Sequence, residues 1–355
     1  MKIVLVSLGD LVDAQGPYDL ANTGRLAGFL ADALAEAGHQ VTLLVARGSC
    51  SVARVVQVWP HDVCAGASGA AFAPLMLLLE ELERRADDFD IVHSHLGYFS
   101  LSALARQTVP FLTTVYDRVD LPERHAIFRS FSGTPLVSIS DRQRRSFPGA
   151  NWLTTIPCCL PEHLLQPTFD PAADYVAYVC NLASECPIER AIRIAAASGM
   201  RLKIAGPCAV HDRAYFRYRI KPLLASAHVD YVEHLDDCAK SAFYGGARAL
   251  LVPGALTEPY YLPLVEAMAC GTPVIALRSS LASEIIEDGV SGMIADDDGA
   301  AVAAILRAVH FPRAAIRVAF ERRFSAQVAA RAYEQLYENL RAERGGKLVA
   351  VELGR

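Results

Sequence analysis

Two glutamates, Glu258 and Glu266, are separated by seven residues in the stretch Thr257-Glu-Pro-Tyr-Tyr-Leu-Pro-Leu-Val-Glu-Ala-Met-Ala-Cys-Gly-Thr-Pro-Val-Ile-Ala276. The spacing predicts that Glu258 sits in a loop before a helix and Glu266 about one turn into it, so that both face one pocket. A carboxylate in such a place can accept hydrogen bonds from two neighbouring hydroxyls of a ligand. The helix beginning near Leu262 would offer backbone N–H groups and a positive dipole end to an anion. Taken alone, the pair also fits ordinary solvated acids at a helix end. His93 and His95 are read more simply as strand-end histidines with satisfied hydrogen bonds than as catalytic groups.

The elements that must position these residues alternate between strand and helix. Strands are expected at Ile3–Ser7, Val41–Ala46, Val55–Trp59, Ile91–His95, Phe111–Tyr116, Leu136–Ser140 and Leu153–Ile156, with helices at Leu20–Gly38, Leu75–Arg85, Leu121–Phe131 and Arg142–Phe147. Such alternation implies βαβ units and a parallel sheet. The segment 161–174 carries Pro161, Pro167, Asp170 and Pro171 without an apolar period and reads as a linker. A second alternation runs from Tyr175–Val179 through helices at Ile188–Ser198, Tyr215–Leu224, Ala239–Gly245 and Leu262–Ala269, with strands at Leu202–Ala205, Val229–Val232, Ala249–Val252 and Val274–Ala276. The expected domains are 1–160 and 175–325, followed by an amphipathic helix over 326–345 that packs back across the first domain, with a mobile tail after Gly345.

With 355 residues, 52% hydrophobic and 21% charged, the chain is long enough for two cores and not disordered. Net charge is -5 without a basic block, which argues against nucleic acid as partner. No apolar stretch approaches the roughly 20 residues of a membrane span, and the N-terminus reads as a strand, not a signal peptide. A cytoplasmic protein is expected, with peripheral membrane contact left open. The nine cysteines are an odd count without CxxC spacing, poor material for a disulfide framework.

The stretch from Glu258 to Ile275 resembles the signature of the retaining family 4 glycosyltransferases. Asp90-Ile-Val-His-Ser-His95, Thr113-Thr-Val-Tyr116, Val137-Ser-Ile-Ser-Asp141, Leu202-Lys-Ile-Ala-Gly206 and Glu284-Ile-Ile-Glu-Asp-Gly-Val-Ser-Gly292 resemble further landmarks of that family in the expected order. The resemblance implies a GT-B fold of class α/β, with two Rossmann-like domains facing across a cleft. It implies retaining transfer of a sugar from a nucleoside-diphosphate sugar to an acceptor it does not identify, with no cofactor and no bound metal. Glu266 would hold the ribose, Glu258 and Tyr116 would lie near the transferred sugar, and Leu262, Tyr261 and Gly206 would adjoin the donor.

Several residues depart from the family pattern. Val179-Cys-Asn-Leu-Ala-Ser-Glu-Cys-Pro187 places Asn181 where the family has an arginine and Cys186 where it has a lysine. Charge-assisted hydrogen bonds of about 1.5–3 kcal/mol each are thereby lost from the donor diphosphate, enough to weaken binding by orders of magnitude. Tyr261 stands for a glycine, Tyr116 for a histidine, Cys158-Cys159 for a polar-Gly pair, and Asp19 falls in a loop that usually carries two glycines. Two alternatives to an active enzyme follow. One is a catalytically inactive GT-B protein serving as a protein partner or scaffold. The other is thiol or soft-metal chemistry by Cys158, Cys159, Cys180 and Cys186, joined by Cys208, although small core thiols are the plainer reading. Arg190 and Lys203 are candidate replacement cations.

Overall fold

The computed structural model describes residues 1–9, 20–48, 51–59, 72–182, 186–207, 213–254 and 260–352. The chain divides into two compact units, Met1–Cys159 with Ala326–Arg355, and Leu160–Ser325.

In the first unit β1 (Lys2–Gly9), β2 (Gln40–Arg47), β3 (Arg54–Gln57), β4 (Ile91–Ser94), β5 (Phe111–Val115), β6 (Leu136–Ser138) and β7 (Trp152–Thr155) form one sheet ordered β3-β2-β1-β4-β5-β6-β7. Every pairing is parallel. Parallel strands are covered on both faces and therefore read as unbroken apolar runs. In β1, Ile3 and Leu5 pack with α1 (Leu20–Glu36) and the C-terminal helix Ala326–Glu352. Val4 and Val6 point the other way, onto Leu75, Leu78 and Leu82 of α2 (Phe72–Arg85). Shorter helices α3 (Leu101–Leu104), α4 (Pro122–Ser130) and α5 (Asp141–Ser146) complete the unit. Ser140 caps α5 by accepting from the Gln143 N–H. The C-terminal helix continues through Gly345 to Glu352, beyond the 326–345 expected.

The second unit repeats the plan with β8 (Tyr175–Val179), β9 (Arg201–Ala205), β10 (Val229–Val232), β11 (Ala249–Val252), β12 (Val274–Leu277) and β13 (Gly292–Ala295), ordered β10-β9-β8-β11-β12-β13 and again all parallel. Its helices are α6 (Ile188–Ala197), α7 (Arg213–Tyr215), α8 (Lys221–Leu224), α9 (Asp237–Gly245), α10 (Leu262–Ala269), α11 (Ser280–Ile285), α12 (Asp298–Arg307) and α13 (Arg313–Phe324). The single helix expected over Tyr215–Leu224 is interrupted by a π-helical turn at Phe216–Ile220. Pro222, in the first turn of α8, has no N–H to continue an α register, and the wider turn accommodates it.

In both units the strand order reverses beside the first strand, between β1 and β4 and between β8 and β11. Open α/β sheets bind ligands outside the carboxyl ends of their strands at such a reversal. Among the described residues no single helix is long and apolar enough to cross a membrane.

Candidate functional site

In the second unit the reversal is bordered by the loop leaving β8 and by α10, which follows β11. Tyr261, the residue before helix α10, gives it no side-chain cap, its first turn carries no acid, and Pro263 removes one of the early N–H groups. Its N-terminal end therefore keeps its electropositive character. Leu262 starts this turn, half-buried. One turn on, Glu266 is only 5% exposed.

The Glu266 carboxylate carries two partners. Lys240 Nζ lies 2.6 Å from Oε1, and the Tyr244 hydroxyl donates to Oε2 over 2.7 Å. Both come from α9, which the Asp236 side chain caps by accepting from the Ala239 N–H. Tyr244 is itself fixed, because the Thr272 hydroxyl donates to its carbonyl at 2.7 Å. Burial, with the adjoining carboxylate of Glu266, holds the Tyr244 phenol well above its ordinary range, so it remains a donor. An ionised carboxylate has about four acceptor positions. Lys240 and Tyr244 occupy two, leaving capacity for a pair of hydroxyls.

Tyr261 links α10 to the loop after β8, its hydroxyl donating to the Val179 carbonyl. The loop continues through Cys180 to Asn181, which is exposed, and to Leu182, which is fully buried. Gly206, at the end of β9, adopts φ +143°, and a Cβ there would stand 1.8 Å from the Cys180 carbonyl oxygen. Its placement beside the loop requires glycine. Cys186, half-buried, has its Sγ 2.7 Å from Cys180 Sγ and 3.1 Å from the Tyr178 hydroxyl. Leu262, Tyr261, Glu266, Asn181, Cys186 and Gly206 thus border one reversal point.

Neither candidate replacement cation is available. Arg190 Nε pairs with Asp298 Oδ1 at 2.6 Å, and Lys203 Nζ sits 3.9 Å from the centre of the Tyr175 ring. Lys240 is the cation the sequence reading missed. It lies in a helix without a recognisable motif, and only the packing of α9 against α10 shows its role. Glu258, Asp19 and Cys208 lie outside the described residues.

The remaining candidates belong to the first unit. Tyr116, just past β5, stands 2.9 Å from His95 Nδ1, and with Thr114, Cys158, Cys159 and Tyr333 it lines a small cavity. Burial pushes the Tyr116 phenol well above its usual range, and pushes the Cys159 thiol up to about 12. Of the four thiols, Cys158 and Cys159 belong to the first unit, Cys180 and Cys186 to the second. No cluster of three or more His, Cys, Asp or Glu side chains able to hold a metal occurs among the described residues.

His93 fits the expectation of a satisfied strand-end histidine, its ring bridging Tyr337 at 2.7 Å and Thr114 at 2.8 Å. His95 fits it only by half, because its buried Nε2 has no hydrogen-bond partner among the described residues. Burial lowers the His95 pKa to about 3 and takes His93 well below its ordinary value, with His95 contributing. Both rings are neutral at physiological pH.

Two Rossmann-like units with this strand order, and a helix-borne carboxylate at the reversal of the second, define a GT-B protein. The solved structures agree on the fold. Sucrose-phosphate synthase from Thermosynechococcus elongatus aligns with TM-score 0.72 at 20% identity, covering 96% of this chain and 99% of that one. Anabaena HepE in complex with UDP aligns with TM-score 0.69 at 15% identity, covering 96% and 100%. Residues 166–322 match the family of glycosyl transferases group 1, and residues 23–151 match glycosyltransferase family 4. The chain belongs to the group 1 glycosyltransferases. A curated relative, D-inositol 3-phosphate glycosyltransferase 2 of Catenulispora acidiphila, is 35% identical over 133 residues, 34% of this chain. That match spans 31% of the relative, about a third of its length.

Proposed function

We propose that the chain transfers a sugar from a nucleoside-diphosphate donor with retention of configuration and without a bound metal. The observation that carries this reading is Glu266, buried on α10 with Lys240 and Tyr244 holding its two oxygens apart from solvent. Orientation is thus fixed before a ligand arrives, and the remaining acceptor positions suit the two hydroxyls of a ribose. The uncapped N-terminal end of α10 supplies fixed dipoles toward the negative charge that grows on a departing diphosphate.

With Asn181 and Cys186 in the loop after β8, and Arg190 and Lys203 engaged elsewhere, the phosphates find little positive charge beyond Lys240 and the helix end. Donor affinity is therefore expected to rest on the nucleoside and to be modest, in the range of about 0.1–1 mM. A second reading, a partner protein without catalysis, is favoured by the Tyr261 ring, whose bond to the Val179 carbonyl bridges the two borders of the site.

Isothermal titration with UDP, GDP and their glucose and mannose conjugates separates these readings. Saturable heat at sub-millimolar nucleotide is expected, and a folded protein giving no heat at several millimolar of any donor would sink the enzyme reading. D-inositol 3-phosphate heads the acceptor panel, because it is the acceptor in the relative's name.

A further inference from the structure

The loop leaving β8 is held at both ends. The Cys180 N–H donates to the Ala205 carbonyl at 3.0 Å, and the Leu182 N–H donates to the Pro207 carbonyl at 2.9 Å, with the Leu182 side chain fully buried. Gly206 passes so close that a Cβ there would meet the Cys180 carbonyl oxygen. On the return side, Pro187 has a restricted backbone and Ile188 is 1% exposed at the start of α6. These anchors bring Cys180 Sγ and Cys186 Sγ to 2.7 Å, with both side chains half-buried.

That separation distinguishes two uses of a thiol pair. Two thiolates bound at about 2.3 Å to one tetrahedral zinc stand about 3.8 Å apart, whereas a disulfide needs about 2.05 Å. The observed pair is nearer the covalent bond, and closing it requires about 0.7 Å of sulfur movement. We propose that Cys180 and Cys186 are a modification site, forming a reversible disulfide under a peroxide that closes the loop after β8 and weakens nucleotide binding.

In the reaction one thiolate attacks a peroxide oxygen and the O–O bond breaks, giving a sulfenic acid and, with hydrogen peroxide, one water. The second sulfur then attacks the sulfenic sulfur, the S–O bond breaks, and a second water leaves as the S–S bond forms. Two thiols are oxidised and the peroxide is reduced. Because Cys186 hydrogen-bonds to it and because of burial, the Cys180 thiol lies above its ordinary range, so the reaction quickens as pH rises. The disulfide removes both S–H donors from a loop that carries Asn181. The effect on binding, but not the disulfide itself, rests on the donor reading proposed above.

The test treats the full chain with hydrogen peroxide, alkylates it, and maps the peptides by mass. Expected is a link between Cys180 and Cys186, lighter by two hydrogens and reversed by dithiothreitol. The Cys186→Ser variant is expected to stop at a dimedone-reactive sulfenic acid on Cys180. Both thiols remaining alkylatable after the exposed Cys238 is oxidised would overturn the proposal, as would either sulfur pairing with another cysteine. UDP titration of the two states is expected to show about fivefold weaker binding when oxidised, restored by reduction. Equal affinity overturns the control of binding. Absence of binding in both states overturns the donor reading and that control together, while the mapped disulfide stands.

Discussion

The two units share a strand order but treat buried polar groups in opposite ways. Around β4 and β5 the first unit buries His93, His95, Thr114, Tyr333 and Tyr337, none of them in an ion pair among the described residues, and desolvation keeps the imidazoles neutral. The result is a chain of neutral hydrogen bonds, Tyr337 to His93 to Thr114 to Tyr333, that ties the C-terminal helix to the sheet. Around α10 the second unit buries one carboxylate and gives it a lysine. Burial without charge serves as attachment between elements. Burial with a paired charge preserves an ionic group that a ligand can meet.

The strongest way to break this contrast is to remove Tyr337, which is fully buried. Tyr337→Ala is expected to cost about 3–5 kcal/mol in denaturant unfolding, whereas Tyr337→Phe, which removes only the partner of His93 Nδ1, should cost about 1–3 kcal/mol. Equal costs would show that the ring alone attaches the helix and that the hydrogen-bonded chain contributes nothing.

A smaller effect is expected from Glu266→Gln, which keeps shape but removes the charge facing Lys240. Hydrogen bonds to a charged group are worth about 2 kcal/mol, so UDP should bind about thirtyfold more weakly. The first unit's hydrogen exchange should be unchanged. Undiminished UDP affinity would mean that the carboxylate is a structural ion pair and not a ligand group.

The smallest expected effect is in pH. The folded-state pKa of His95 is lowered to about 3 from an unfolded value near 6.5, so its contribution is fully present above about pH 6.5. As pH falls below that value the unfolded chain binds protons that the folded chain refuses, and stability falls until about pH 3. Between pH 7.5 and 5.5 His95 alone should remove about 1.4 kcal/mol, with His93 acting in the same direction. Hydrogen exchange resolved by peptide should show faster opening near β4, β5 and the C-terminal helix than near α9 and α10. Uniform acceleration across both units would contradict the assignment of the acid response to the imidazoles.

Much of this was legible from residues alone. The continuous apolar runs of β1 and β8 required strands covered on both faces, and their alternation with amphipathic helices required parallel sheets. Glu266 was legible because its helix follows a strand within a recognisable stretch. The partners of Glu266 were not, because Lys240 and Tyr244 lie 26 and 22 residues upstream and meet it through the packing of α9 on α10. The thiols were visible as a set of four, but their division followed from the fold.

The sequence by itself determined the α/β class, the family and the helix that carries Glu266, since these depend on local periodicity and on a contiguous motif. Only the tertiary structure decided which cation faces that carboxylate, that Arg190 and Lys203 are engaged elsewhere, and that Cys180 meets Cys186. Those pairings depend on how separate elements stack. Side-chain contacts over such separations are set by packing and burial, which no local pattern of residue types encodes.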